Sequence, residues 1–323
     1  MRLTRSFSVI DSHTAGHPTR VILSGIAHLK GESVRAQRDD FRDNHDSLRG
    51  VLLHEPRGHA AMVGAIPVPS RVADYGVFFI SSYIYLDMCG HGTIGFARTL
   101  AATGQLSPGT ERFSMEAPAG IVDVALAWNE QGELASVTLT NVKSYLGVRD
   151  LSLSLPDGRT VTADLAYGGV WYAIVDAHTA GLRLDPDNVG AALQAGDAIK
   201  AAYVQLAADR PDLPQTTPSI LFVADDGPAE ARHLVVLAAN KFDRSPCGTG
   251  TSARLAQLHA RGLLRTGEPY KAKSILGTSF DAVIASAENG AISPRITGMA
   301  HISAFSTIVC EPGDPLAQGF LCR

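Results

Sequence analysis

Two cysteines stand at the heads of matching turns. Cys89-Gly90-His91-Gly92-Thr93 and Cys247-Gly248-Thr249-Gly250-Thr251 lie 158 positions apart (247 − 89). Overlaid, residues 89–104 and 247–262 agree at seven places: the Cys, two Gly and a Thr, then a Leu, an Ala and a closing Gly. Glycine after each thiol lets the backbone come close to a ligand. The first N–H groups of a helix have no internal partner, so each turn is an anion site suited to a carboxylate. The same position is expected to lower the thiol pKa from its free value of about 8.5. Two such turns suit one kind of chemistry, taking a proton from one face of a carbon and returning it from the other. Donors aimed at the carboxylate as it gains enolate character stabilise that transition state. A positioned thiol adds roughly 10²–10⁴-fold through proton transfer. Asp243, four residues before Cys247, can accept hydrogen bonds from a substrate ammonium, which keeps the neighbouring C–H acidic.

Each residue also has a plainer reading. A single Cys before a Gly turn is usually structural, and it is the recurrence of the whole turn that favours chemistry. His91 is either a local hydrogen-bonding residue or a ligand contact, and Asp243 either a turn cap or a substrate partner. Asp11, His13 and Arg20 read as turn and surface residues without a role. Cys310 reads as a strand residue and Cys322 as a tail residue. Cys89 and His91 lack a second Cys/His pair at zinc spacing, so no metal is expected. Gly90-His91-Gly92-Thr93-Ile94-Gly95 also matches a dinucleotide fingerprint, with Glu116 downstream near the usual acidic position. A nicotinamide-dependent dehydrogenase is therefore a competing class, as is a binding protein without turnover. Against the dehydrogenase, a cofactor turn needs neither a preceding cysteine nor a second copy.

The elements that would hold these turns follow from pattern. Val9-Ile10 and Arg20-Val21-Ile22-Leu23 read as strands around the turn-forming 14–18, and 32–50 as helix-compatible. Residues 77–80 and 83–86 are β-rich and lead into Cys89. Beyond it Ile94, Ala97, Leu100 and Ala101 have helical spacing up to Gly104. In the second half, 171–175, 220–223 and 234–237 read as strands, 188–207 as an amphipathic helix, and Leu255 and Leu258 continue a helix from Cys247 to Gly262. Two α/β domains are expected, with a crossover near 142–150 and a last strand, about 304–310, returning to the first domain.

At 323 residues the chain is long enough for two cores. A net charge of −4 without a basic stripe gives no reason to expect nucleic acid, and no apolar run is long enough to span a membrane. No secretory core follows Met1–Phe7, so a cytoplasmic protein is expected. Four scattered cysteines do not make a disulfide framework.

Met88-Cys89-Gly90-His91-Gly92-Thr93-Ile94-Gly95 and Asp243-Arg244-Ser245-Pro246-Cys247-Gly248-Thr249-Gly250-Thr251 resemble the two signature motifs of the proline racemase family. Residues 10–16, Glu55-Pro56-Arg57-Gly58-His59 and Asp314-Pro315 resemble further landmarks, so the similarity spans nearly the whole chain. The resemblance implies the diaminopimelate epimerase fold: two pseudo-symmetric α/β domains, each a sheet wrapped around a central helix, with the active site in the cleft between them and no cofactor. The expected domains are 1–142, completed by about 304–323 and carrying Cys89, and 143–303 carrying Cys247. The resemblance further implies that Cys89 and Cys247 are the acid–base pair. Gly90, His91, Asp243, Gly248 and Thr249 would contact the substrate, proline or hydroxyproline, in a homodimer. The presence of both cysteines favours racemisation or epimerisation over 3-hydroxyproline dehydration. Gly-Thr-Ile-Gly after His91 resembles the 4-hydroxyproline 2-epimerases. One departure stands out: His17 occupies a position where the family usually has Glu, and if it lines the site the ring substituent recognised changes with it.

Overall fold

The computed structural model describes residues 4–227, 229–237 and 241–322. The chain divides into two compact units, Met1–Leu139 with Gly298–Arg323, and Thr140–Thr297. Both are mixed α/β and rich in strands.

In the first unit, strands Arg5–Thr14 and His17–Ile22 form a hairpin across Ala15 and Gly16. Both turn residues have positive φ (50° and 96°), the twist a two-residue hairpin needs. Strand Ala300–Cys310 returns to lie antiparallel to Arg5–Thr14. On the other side come Val63–Val68, Tyr75–Ser81, Arg112–Ala117, Gly120–Trp128 and Leu134–Thr140. Helices α1 (Val34–His45) and α2 (Ser47–Leu53) cover this sheet, with Phe7, Phe41, Leu52, Leu53, Phe78 and Ile80 at the core. Helix α3 (Gly90–Ala102) packs against strands 5–14, 17–22, 63–68 and 300–310 and is buried along most of its length. Its composition suits this burial: apart from His91, Arg98 and two Thr its residues are small or apolar. Gly95 marks the closest approach, where a Cβ would lie 3.0 Å from Ser12 and Thr19.

The chain enters the second unit after Leu139, and Ser144–Ser154 is its first strand. The order runs Ser144–Ser154, Thr160–Tyr167, Trp171–Asp176, Ser219–Gly227, Glu230–Leu237, Pro269–Ser274, Ser279–Glu288, Ala291–Gly298. Residues 291 and 292 then pair with 145 and 144, which closes the sheet into a ring. Helix α4 (Val189–Ala208) is amphipathic and buries Ala192, Gly196, Ile199 and Tyr203, spaced four, three and four apart. Helix α5 (Gly248–Ala260) packs against strands 144–154, 160–167, 171–176 and 279–288 of the ring. Each unit thus buries one helix, and each buried helix begins directly after a cysteine. No helix among the described residues is long and apolar enough to cross a membrane.

Candidate active site

Cys89 is the N-cap residue of α3, in extended conformation, and is 5% exposed. Its sulfur makes no capping bond; it lies 3.4 Å from His91 Nδ1 and 3.7 Å from Nε2. Thr93 fixes the turn, its N–H and its hydroxyl both donating to the Cys89 carbonyl. Thr14, from the hairpin, donates to the His91 carbonyl at 2.9 Å. His17 is buried and meets the His91 ring edge-on, with centroids 4.4 Å apart. The residue that departs from the family pattern is therefore packed against the imidazole that touches Cys89. Gly92 is required sterically: a Cβ there would sit 2.8 Å from Phe79 and 3.0 Å from the Cys89 sulfur.

Cys247 caps α5 in a different way. Its φ of +66° is unusual for a residue with a side chain, and its sulfur accepts from Gly250 N–H at 3.4 Å. The strained backbone is held by a short network. Asp243 Oδ1 accepts from both N–H and Oγ of Ser245 at 2.8 Å, and Ser245 Oγ accepts from Cys247 N–H at 3.1 Å. Both readings of Asp243 are compatible with this position: it caps the turn, and its carboxylate is buried beside the Cys247 thiol. Gly168 presses against the Thr249 carbonyl, leaving no room for a Cβ. Asn141 Nδ2 ties Gly168 O to Ser252 Oγ, both at 2.9 Å. Gly250 again lies against the sulfur, 3.2 Å from a would-be Cβ, so the third residue after each cysteine must be Gly for the same reason in both units.

The expectation that a helix start lowers the thiol pKa fails at Cys247. Burial pushes the thiol up to about 12, and the Asp243 carboxylate adds to the effect. Donation from Tyr172, Thr249 and Gly250 opposes the rise without cancelling it. At a site this dry, desolvation of the thiolate outweighs the partial charges of the helix end.

Tyr172 and His233 were not legible as site residues. Tyr172 Oη lies 3.3 Å from the Cys247 sulfur and 2.6 Å from Thr249 Oγ1. Its strand is buried on both faces, so no alternation in 171–175 marks which side chain points to the turn. His233, on strand 230–237, braces the turn from behind: Nδ1 donates to the Pro246 carbonyl at 3.1 Å, which leaves Nε2 to accept from Tyr270 Oη at 3.0 Å. Burial, helped by Arg254, pushes His233 from 6.5 down to about 3. The unfolded chain therefore takes up this proton first, so the contribution to stability is complete above about pH 6.5 and is lost as pH falls toward 3. Urea denaturation at stepped pH should show His233→Phe less stable at pH 7, with the two curves converging as pH is lowered. Parallel curves would contradict a neutral buried His233.

Other sequence signals resolve into structure. Arg20 is buried, not a surface residue: it pairs with Asp11 through two 2.7 Å bonds and donates to the Leu52 and Arg57 carbonyls. Arg57 in turn donates to Ala317 O at 2.7 Å and lies 3.6 Å from Asp314, which joins the 55–59 and 314–315 landmarks. Glu116, the acidic residue of the dinucleotide reading, is committed elsewhere. It accepts from Val34 N–H at the start of α1 and from Ser70 Oγ.

The proline racemase family model matches residues 9–321. The chain is 37% identical to a proline racemase of Clostridioides difficile, covering 100% of both chains. It is 40% identical to a 4-hydroxyproline 2-epimerase of Chromohalobacter salexigens, over 96% of this chain and 97% of the other. A crystal structure of a hydroxyproline epimerase from Agrobacterium vitis with bound trans-4-OH-L-proline superposes with a TM-score of 0.86 at 28% identity, covering 100% of this chain and 97% of that one. With both cysteine motifs at the heads of buried helices and a match along nearly its entire length, the chain belongs to the proline racemase family.

Proposed function

We propose that the protein is a 4-hydroxyproline 2-epimerase that inverts the α-carbon with two cysteines and without a cofactor. The observation that carries this reading is the twofold occurrence of one device: a buried sulfur at the start of a buried helix, with a polar partner beside it, His91 for Cys89 and Asp243 for Cys247. A two-base reaction needs one sulfur protonated, and burial favours the thiol at Cys247. In one direction Cys89 removes the α-proton while Cys247 delivers one to the opposite face, and the roles exchange for the reverse reaction. N–H groups at the starts of α3 and α5, from Gly90 and His91 and from Gly248 and Thr249, would bind the substrate carboxylate. The substrate ammonium would sit at Asp243, neutralising the charge that disfavours a Cys247 thiolate and keeping the α-proton acidic.

The identity to named 4-hydroxyproline 2-epimerases and the hydroxyproline-bound structural neighbour support the hydroxylated substrate. Proline racemisation is the second reading, favoured by the proline racemase relatives that match end to end. Incubation with trans-4-hydroxy-L-proline in D₂O should give the cis-D epimer carrying one deuterium at the α-carbon. Inversion of L-proline but not of hydroxyproline would select the second reading, and absence of α-exchange with either would end both.

A further inference from the structure

We propose that Tyr172 is a positioning residue for Cys247, its hydroxyl reversing the direction of its hydrogen bond as the sulfur gains or loses a proton. The proposal rests on the reading of Cys247 as an acid–base residue. Three polar atoms form a triangle: Tyr172 Oη to Cys247 Sγ is 3.3 Å, Tyr172 Oη to Thr249 Oγ1 is 2.6 Å, and Sγ to Oγ1 is 3.6 Å. Tyr172 is 1% exposed, so its single hydroxyl proton has two acceptors within reach and no bulk water to turn to.

Each protonation state of the sulfur fits one arrangement of donors. With a thiol, S–H donates to Tyr172 Oη and the phenol donates to Thr249 Oγ1. With a thiolate, Thr249 O–H donates to Tyr172 Oη and the phenol donates to sulfur, beside the Gly250 N–H at 3.4 Å. In passing between them the only bond to hydrogen that breaks or forms is S–H, its proton going to or coming from the substrate α-carbon. The two hydroxyls keep their protons and only rotate, and in the thiolate state the charge rests on sulfur. A phenol serves well because burial holds its own pKa well above the ordinary tyrosine value, so it donates a hydrogen bond without ionising.

Within this unit the charged or titratable groups facing Cys247 are Asp243, on the turn before it, and Tyr172, on the strand beside it; His233 reaches the turn only through the Pro246 carbonyl. Asp243 disfavours the thiolate and Tyr172 favours it. Removing the phenol oxygen should therefore cut the thiolate population about 10–100-fold, the usual worth of a hydrogen bond to a charged acceptor.

The test uses Tyr172→Phe in the full chain, which keeps the ring in the core. Iodoacetamide is applied at fixed pH near the free thiol value of about 8.5, with the Cys247 and Cys322 peptides quantified by mass spectrometry. Cys322 is exposed and serves as the internal reference. Cys247 should be alkylated about 10–100-fold more slowly than in the unmodified protein, and kcat should fall comparably with KM held within about threefold. Equal or faster alkylation of Cys247 would overturn the proposal, as would a loss confined to KM. If the unmodified protein epimerises neither substrate, the assigned reaction fails, yet the alkylation comparison still decides the role of Tyr172. Should Tyr172→Phe not fold, 3-fluorotyrosine at position 172 keeps the ring and supplies a stronger donor. It should speed alkylation of Cys247, and an unchanged rate would overturn the proposal.

Discussion

Cys89→Ser and Cys247→Ser should each lower epimerisation by roughly 10²–10⁴-fold, the range for loss of a positioned acid or base. Serine is close to cysteine in size and hydrogen bonding, so the change is mainly in proton affinity; an alcohol is far too weak an acid to supply the alkoxide near neutral pH. The folding cost should be small, and smaller at 247. There serine can accept from Gly250 N–H as the sulfur does, and serine is a preferred N-cap. At 89 the sulfur makes no capping bond that could be lost. A second signature separates a two-base reaction from a single cysteine working with water. Each variant keeps one thiol, so it should exchange the α-proton of one epimer without inverting it, and the two variants should favour opposite epimers. Chiral chromatography and deuterium incorporation, measured from each epimer, check both points. Full inversion by either variant would refute the pairing of Cys89 with Cys247.

Arg20→Ala should destabilise the protein by about 3–5 kcal/mol, the cost of removing one partner from a buried ion pair. Arg20 and Asp11 face each other across the hairpin, and the guanidinium also occupies the Leu52 and Arg57 carbonyls. Alanine leaves a half-buried carboxylate and two acceptors without their donor. Arg20→Lys keeps the charge but cannot reproduce the fork, so it should recover only part of the loss. Because the same hairpin carries Thr14 and His17 to the His91 turn, Arg20→Ala should also reduce turnover at temperatures where the variant is still folded. Guanidinium denaturation midpoints, with activity measured well below the melting temperature, test both effects. A change under about 1 kcal/mol would mean that the pair behaves as an exposed one.

The amino-acid sequence alone determined the family and singled out the two cysteine turns, because both depend on local pattern. A thiol followed by two spaced glycines and an apolar helix is visible along the chain, and its repetition is visible by overlay. The reason for the glycines at 92 and 250, the sulfur lying against each of them, is a packing fact that appears only with coordinates. The strands next to the two turns were readable from composition. Most of the later strands, such as 112–117, 160–167 and 279–288, carry mixed residues whose pairing depends on distant partners. Arg20 looked like a surface residue because sequence shows charge but not the four oxygens that receive it.

The protonation state of Cys247 was decided by the tertiary structure in the same way. Its place at a helix start argued for a thiolate, and the enclosure of that start argued more strongly for a thiol. Helix position is a property of neighbours in sequence, whereas the loss of water around a sulfur is set by all that packs on it, including residues as far along the chain as Tyr172. Desolvation depends on every atom that surrounds a group, so only the folded chain could fix which way this thiol would lean.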